Sequence, residues 1–291
     1  MKKLLLGYYS IIGYLYKFLV DIGLVSIPSL SANCENNVIV SITSYGRRVS
    51  TSVVYYTLVS ILRQSQKPKR IILWLDKLKW SESTLPSRLL SLKKNGVEFI
   101  LCNDVKSYTK LVPCVKKYPK DIIVTLDDDI IYSSHTIEQL LKAHSLYPND
   151  ICCFQALKIQ CVNDIPTNYH RWVNYMQSYR GKGLIFPLGV GGVLYPPNCL
   201  HQDVLREDLF LRLCPHADDI WFWLCGLRAG TNVYVIEKKG RDYSFDSLYQ
   251  YLHKGSALTH TNRSEHQNDN QFLSVMNHYN MRIRNGILVP A

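Results

Sequence analysis

The sequence predicts an α/β protein with a mostly parallel central sheet flanked by helices. Short apolar runs rich in β-branched residues recur at Val38 to Ile42, Arg70 to Leu75, Val97 to Leu101 and Ile122 to Leu126. Segments with helical spacing separate them, and strand–helix alternation at this interval requires parallel strands with right-handed crossovers. The runs also end in polar residues, Thr43-Ser44-Tyr45, Asp76 and Asp127-Asp128-Asp129. In open α/β sheets the ligand lies beyond these carboxyl ends of the strands.

The bulk composition fits one folded body. A chain of 291 residues that is 47% hydrophobic and 20% charged has enough apolar residues for a sizeable core. No linker, repeat or low-complexity tract divides it, and residues 38–285 read as a single domain. The net charge of +11 favours anionic partners. Its basic residues are scattered in short clusters, such as Lys67, Lys69 and Arg70 or Lys238, Lys239 and Arg241. That scatter argues against nucleic acid as the partner. The nine cysteines include no C-x-x-C pair, which argues against a zinc ribbon or redox motif and fits reduced, buried thiols in a cytoplasmic protein.

Residues 1–30 open with Met1-Lys2-Lys3 and an apolar stretch that Lys17 and Asp21 interrupt. The uninterrupted part is shorter than the roughly 20 residues that span a bilayer. Mixed tyrosines, lysines and aliphatics suit an amphipathic helix that lies on a membrane or docks on the protein's own surface. Pro28 and Asn36-Asn37 mark a link into the body. After the first strand, Val54, Leu58, Ile61 and Leu62 space a helix over Val53 to Gln64. A second helix over Leu85 to Lys94 closes at Asn95-Gly96, a C-cap signal. A third spans Tyr108 to Lys117.

Past the fourth strand the pattern loosens. His135 to Tyr147 reads as a helix and Ile151 to Ile159 as a strand, whereas Asn168 to Gly183 carries no clear period. Gly189 to Pro197 is a glycine-loosened strand stopped by two prolines. Pro215-His216-Ala217-Asp218-Asp219 opens an apolar helix, Val233 to Glu237 is one more strand, and a last helix covers Asn270 to Tyr279.

The acid triplet is the most informative stretch. Three adjacent carboxylates after a buried strand cannot be core, because unpaired buried charge costs several kcal/mol. A hard divalent cation with oxygen ligands explains them, as does a solvated acidic turn. Asp218-Asp219 stand at a helix start, where carboxylates are favoured in any case.

Taken together, the triplet, Gly191-Gly192-Val193-Leu194-Tyr195-Pro196-Pro197, His216 to Phe222 and the histidine-bearing tail resemble bacterial family-2-like glycosyltransferases of the GT-A fold. These are of the surface-polysaccharide biosynthesis type, and the resemblance covers roughly residues 38–275. It implies a GT-A-type nucleotide-diphospho-sugar transferase fold and a nucleotide-sugar donor, with a UDP-sugar first among the candidates. A glycan or lipid-linked acceptor, inversion at the anomeric carbon and a Mn²⁺ or Mg²⁺ cofactor follow. The resemblance places Asp127 and Asp129 on the metal, Asp127 also towards the nucleotide, and a tail histidine, His260 with His266 in reserve, as a further ligand. Asp128 either orients its neighbours or ligates itself. Thr43, Tyr45, Arg47, Asp76 and Lys110 would hold the nucleotide, Gly191 and Gly192 would let the backbone approach the sugar, and Arg263 would pair with phosphate. Asp219 would be the general base, with Asp218 orienting the acceptor. Trp221 and Trp223 lie on an apolar helix where core packing is the ordinary role.

With such an acceptor, the first thirty residues would keep the enzyme on the cytoplasmic face of the cell membrane. A nucleotidyltransferase on a similar sheet is the alternative. That class carries a glycine-rich basic loop after its first strand, and Thr43 to Arg48 has one glycine and two arginines. A non-catalytic RNA-binding protein leaves the triplet unexplained, since carboxylates repel phosphate.

Overall fold

The computed structural model describes residues 2–30, 36–51, 53–175, 177–239, 242–244, 267–284 and 287–290. Its centre is an eight-stranded sheet: β1 (Val38–Thr43), β2 (Arg70–Asp76), β3 (Val97–Cys102), β4 (Ile122–Thr125), β5 (Ile151–Cys153), β6 (Tyr179–Gly181), β7 (Val193–Tyr195) and β8 (Val233–Val235). The order across it is β6-β8-β5-β7-β4-β1-β2-β3. β1 pairs in parallel with β2 and β4, β2 with β3, and β5 with β8. β7 runs antiparallel between β4 and β5, and β6 antiparallel to β8. The fold is therefore α/β with a mostly parallel sheet.

Both faces of the sheet are covered, which is why its strands read as continuous apolar runs rather than alternating ones. Val38, Val40 and Ile42 face one core, with α3 (Val53–Leu62) and α4 (Thr136–Leu146). Ile39 and Ile72 face the other, with α5 (Asp218–Arg228) and α6 (Gln267–His278). Trp221 and Trp223 are buried in that second core, and the Trp223 indole N–H donates to the Gly183 carbonyl. Eight described cysteines are all free thiols.

Several elements differ from the sequence reading. The helix expected over Tyr108 to Lys117 is a 3₁₀ turn, Lys106–Lys110, followed by a short helix, Val112–Lys117. Pro113 has no N–H to give, so it sits in a first turn and forces the restart. The helix expected over Leu85 to Lys94 is one α turn, Ser87–Leu90, that tightens into 3₁₀ over Ser91–Asn95 and stops at Gly96 with φ of +92°. The strand expected over Ile151 to Ile159 breaks after Cys153. Ala156–Lys158 instead joins Val173–Asn174 and Ile185–Pro187 in a separate three-stranded sheet, which accounts for much of the unassigned stretch before Gly183.

The N-terminal segment forms α1 (Lys2–Asp21). Its last turn is fastened to the body: Asp21 accepts from the Tyr56 hydroxyl at 2.8 Å and pairs with Arg88. Arg63 holds the Ser26 carbonyl at 2.7 Å, and Leu30 donates to the Asn95 carbonyl. Tyr16 and Val20 pack inward while Ile11, Leu15, Phe18 and Ile22 stay outside. Among the described residues, no helix is long and apolar enough to cross a membrane.

Candidate active site

Parallel strands bring their carboxyl ends to one edge, and the antiparallel β7 brings its amino end there. Asp127-Asp128-Asp129 follow β4, Phe154-Gln155 follow β5, Lys238 follows β8, and Gly189 to Gly192 precede β7. The acids, the glycines and two lysines therefore share one rim.

Asp128 is a structural hub. It is 4% exposed, accepts from the Ser44 hydroxyl at 2.5 Å and from Arg48 Nη1 at 2.5 Å, and its carbonyl accepts from Thr57. Arg48 Nη2 reaches Asp129 Oδ2 at 2.7 Å, so one guanidinium forks across two neighbouring carboxylates. A planar guanidinium presents its donors as a rigid pair, which suits this bridge and which a lysine cannot copy. Burial pushes the Asp128 carboxyl up, opposed by Arg48 and Ser44.

The loop carrying the triplet is anchored from α3. Ser60 accepts from the Tyr132 N–H, and Gln64 both accepts from the Ile137 N–H and donates to the Ser133 carbonyl. Thr57 and Ser60 are polar positions on an otherwise apolar helix, and Gln64 extends the row just past its end. The Asp127 N–H donates to the Tyr132 hydroxyl at 2.7 Å.

Asp127 itself is half-buried, and no described group donates a hydrogen bond to its carboxylate. Burial raises its affinity for a proton, and Lys110 acts against that. Hard oxygens with charge to share fit Mg²⁺ or Mn²⁺, ions held by one or two carboxylates together with substrate phosphates and water. Among the described residues, no group of three or more His, Cys, Asp or Glu side chains could hold such an ion unaided. Asp127 and Asp129 bring such oxygens to this rim, and water or the phosphate oxygens of a ligand would have to complete the shell of an ion held there.

Opposite the triplet, Lys110 Nζ lies 2.8 Å from Asp218 Oδ2 and 3.9 Å from Asp219 Oδ1. Burial acts against the lysine's charge, but Asp218, Asp219 and Asp127 outweigh it and hold the ammonium well above its ordinary range. The lysine's backbone is fixed too: its carbonyl accepts from the buried Ser41 hydroxyl at 2.6 Å, and Ser41 accepts from the Trp74 indole N–H. The Gly189 N–H donates to Asp219 Oδ1 at 3.1 Å. Burial and the neighbouring Asp218 push the Asp219 carboxyl up to about 7, against Lys110 and that N–H. The side chain of Asp219 is also the more exposed of the pair, 29% against 11%.

The glycines have separate reasons. A Cβ on Gly189 would lie 2.6 Å from Lys110 Nζ and 2.9 Å from Asp219 Oδ1. Gly192, with φ of +117°, brings its Cα so close to Leu126 that a Cβ would meet that side chain at 2.9 Å. The Gly191 carbonyl accepts from Lys238 Nζ at 3.2 Å. Lys238 also pairs with Asp242 and lies over the Phe154 ring; burial pushes its ammonium down, against Asp242.

The remaining expected site residues are placed as follows. The Thr43 hydroxyl donates to the Trp74 carbonyl on the next strand. Tyr45 is exposed, its ring 5.8 Å from the Arg48 guanidinium. Arg47 is exposed on the short helix α2 (Gly46–Ser50). Asp76 stands two strands from β4 and caps its own turn, accepting from the Leu78 N–H at 2.9 Å. His260, Arg263 and His266 lie outside the described residues. Ser44, Arg48, Gly189 and Lys238 were not among the expected site residues. Ser44 stands among the polar residues that end the first strand; nothing in the sequence marks Arg48, Gly189 or Lys238.

The chain matches no protein-family profile and no curated protein in sequence. Among solved structures it is similar to CMP:2-keto-3-deoxy-manno-octonic acid synthetase complexed with CTP, at 14% identity and a TM-score of 0.44, over 74% of this chain and 96% of that one. It is similar to S. aureus TarS 1-349 at 13% identity and a TM-score of 0.48, over 84% and 72%. It is also similar to the mannosyltransferase PcManGT from Pyrobaculum calidifontis in complex with GDP-Man and Mn²⁺, at 13% identity and 0.34, over 48% and 42%. The functional reading rests on the site's own geometry.

Proposed function

We propose that the chain is a metal-dependent glycosyltransferase of the GT-A type. It would move a sugar from a nucleotide-sugar donor, a UDP-sugar first among candidates, to a hydroxyl of a glycan or lipid-linked acceptor in surface-polysaccharide synthesis. One observation carries the reading: two separated acidic pairs face one another on the carboxyl rim of a parallel sheet, with Lys110 fixed on the second.

The chemistry divides between the two pairs. A divalent ion held by Asp127 and Asp129 would neutralise charge developing on the departing diphosphate. Asp219, with a proton affinity near neutrality and an oxygen fixed by the Gly189 N–H, takes the proton of the attacking hydroxyl. Asp218 is committed to Lys110 and serves to hold that lysine in place. Gly191, at the same rim, would bring the backbone close to the sugar, and the transfer would invert the anomeric carbon with Asp219 as base.

The outward row of α1 supports a place on the inner membrane face. Ile11, Leu15 and Phe18, with Ile22 just past the helix end, are 68%, 53%, 57% and 50% exposed along one line, on a chain of net charge +11.

A thermal-shift panel of UDP-, GDP- and CMP-sugars with and without Mn²⁺ tests the reading, because a ligand that binds only the folded state raises its apparent stability. One nucleotide sugar should stabilise the protein, and more so with Mn²⁺. With CTP and UTP added to the panel, a response confined to the nucleoside triphosphates favours a nucleotidyltransferase instead.

A further inference from the structure

The Arg48 fork raises a question of charge. Asp128 and Asp129 are adjacent, both are buried, and two like charges in such a place need a counter-charge. Arg48 supplies it, with Nη1 on Asp128 at 2.5 Å and Nη2 on Asp129 at 2.7 Å. Asp128 is also held by the Ser44 hydroxyl at 2.5 Å, and it faces α3 through its carbonyl, so its environment persists without the whole fork. Asp129 is the residue that must present oxygen to a cation if the proposed reading holds. The arginine side chain is 22% exposed, so it stands at the mouth of the site rather than behind it.

We propose that Arg48 is an exchangeable counter-ion. It neutralises Asp129 when no divalent cation is bound, and yields that oxygen when one binds. It stays pinned to Asp128 and turns the released amino group to the phosphate oxygens of the donor. Guanidinium suits both positions, since it pairs with carboxylate and phosphate by the same two-pronged geometry. The site thus keeps its acids neutralised before substrate arrives, and Arg48, by touching the donor in the bound state, couples cation binding to diphosphate binding. This inference rests on the proposed reading of the site.

The test measures two affinities in the full-length protein, for Mn²⁺ alone and for UDP at saturating Mn²⁺, in wild type, Arg48→Lys and Arg48→Ala. Removal of a competing charge-assisted hydrogen bond should tighten Mn²⁺ binding about tenfold in Arg48→Ala. UDP binding should weaken by a similar factor. Arg48→Lys keeps a cation near Asp128 without the fork, and should shift both in the same opposed directions by less. It also carries the measurement if Arg48→Ala does not fold. Opposed shifts support the exchange. Parallel losses, or an unchanged Mn²⁺ affinity in the folded variants, overturn it. If wild type takes up neither Mn²⁺ nor UDP, the reading of the site itself fails; if it takes up both and the variants do not shift, only the role of Arg48 fails.

Discussion

The Lys110 ammonium lies 2.8 Å from Asp218, at the start of an apolar helix. The pair is largely shielded from water, so its partners depend on each other more than a surface salt bridge would. Lys110→Met leaves Asp218 and Asp219 facing one another without a counter-charge. It should destabilise the fold by about 3 to 5 kcal/mol, the range for removing one partner of a buried pair. Urea unfolding at neutral pH measures this, and the double variant Lys110→Met with Asp218→Asn should regain much of the loss.

Asp219 makes activity and stability move in opposite directions with pH. Its folded pKa of about 7 lies above that of an ordinary carboxyl, so between the two the folded state binds the extra proton. Its contribution is fully present below about pH 4 and is lost as pH rises through about 7. The stability difference between wild type and Asp219→Asn should therefore shift against wild type by on the order of 2 to 4 kcal/mol from pH 5 to pH 8. Transfer needs the ionised form, so kcat/KM should rise through about pH 7, and Asp219→Asn should remove that limb along with most of the rate.

Gly189 separates backbone tolerance from site geometry. Its φ is not positive, so alanine is acceptable to the chain, yet the new methyl group displaces Lys110 or Asp219. Gly189→Ala should cost about 1 to 3 kcal/mol in stability. It should lower kcat by about tenfold or more, while UDP affinity stays within a few-fold of wild type. Steady-state kinetics alongside UDP calorimetry checks both.

Leu15 and Phe18 on the outer row of α1 are exposed among the described residues, so polar substitution there should leave the fold alone. Phe18→Glu combined with Leu15→Glu should abolish flotation with anionic vesicles, leaving the melting temperature and nucleotide binding unchanged. Equal flotation of variant and wild type removes the membrane from the proposal.

The sheet was legible because buried parallel strands are apolar throughout and end in polar residues, as β1, β2 and β4 do. The acid triplet stood out for the same reason. What stayed hidden depends on contacts between distant segments. Nothing near Arg48 announces that it will grip acids eighty positions on, and Asp128 looked like its neighbours until Ser44 and Arg48 closed on it. Gly189 was overshadowed by the Gly191-Gly192 pair, although the Lys110–Asp219 approach depends on it. The strand after Cys153 was read as too long because Phe154 and Gln155 leave the sheet at the site's rim without any proline or glycine to mark the break.

The most direct measurement is Mn²⁺-dependent release of nucleotide from a panel of UDP-, GDP- and CMP-sugars by wild type, Asp127→Ala and Asp129→Ala. Wild type should release nucleotide from at least one donor, and each variant should lose that activity by about a hundredfold or more, the scale of losing electrostatic stabilisation of the leaving group. Undiminished release by both variants, with the fold intact, would contradict the assignment of these acids to the diphosphate site.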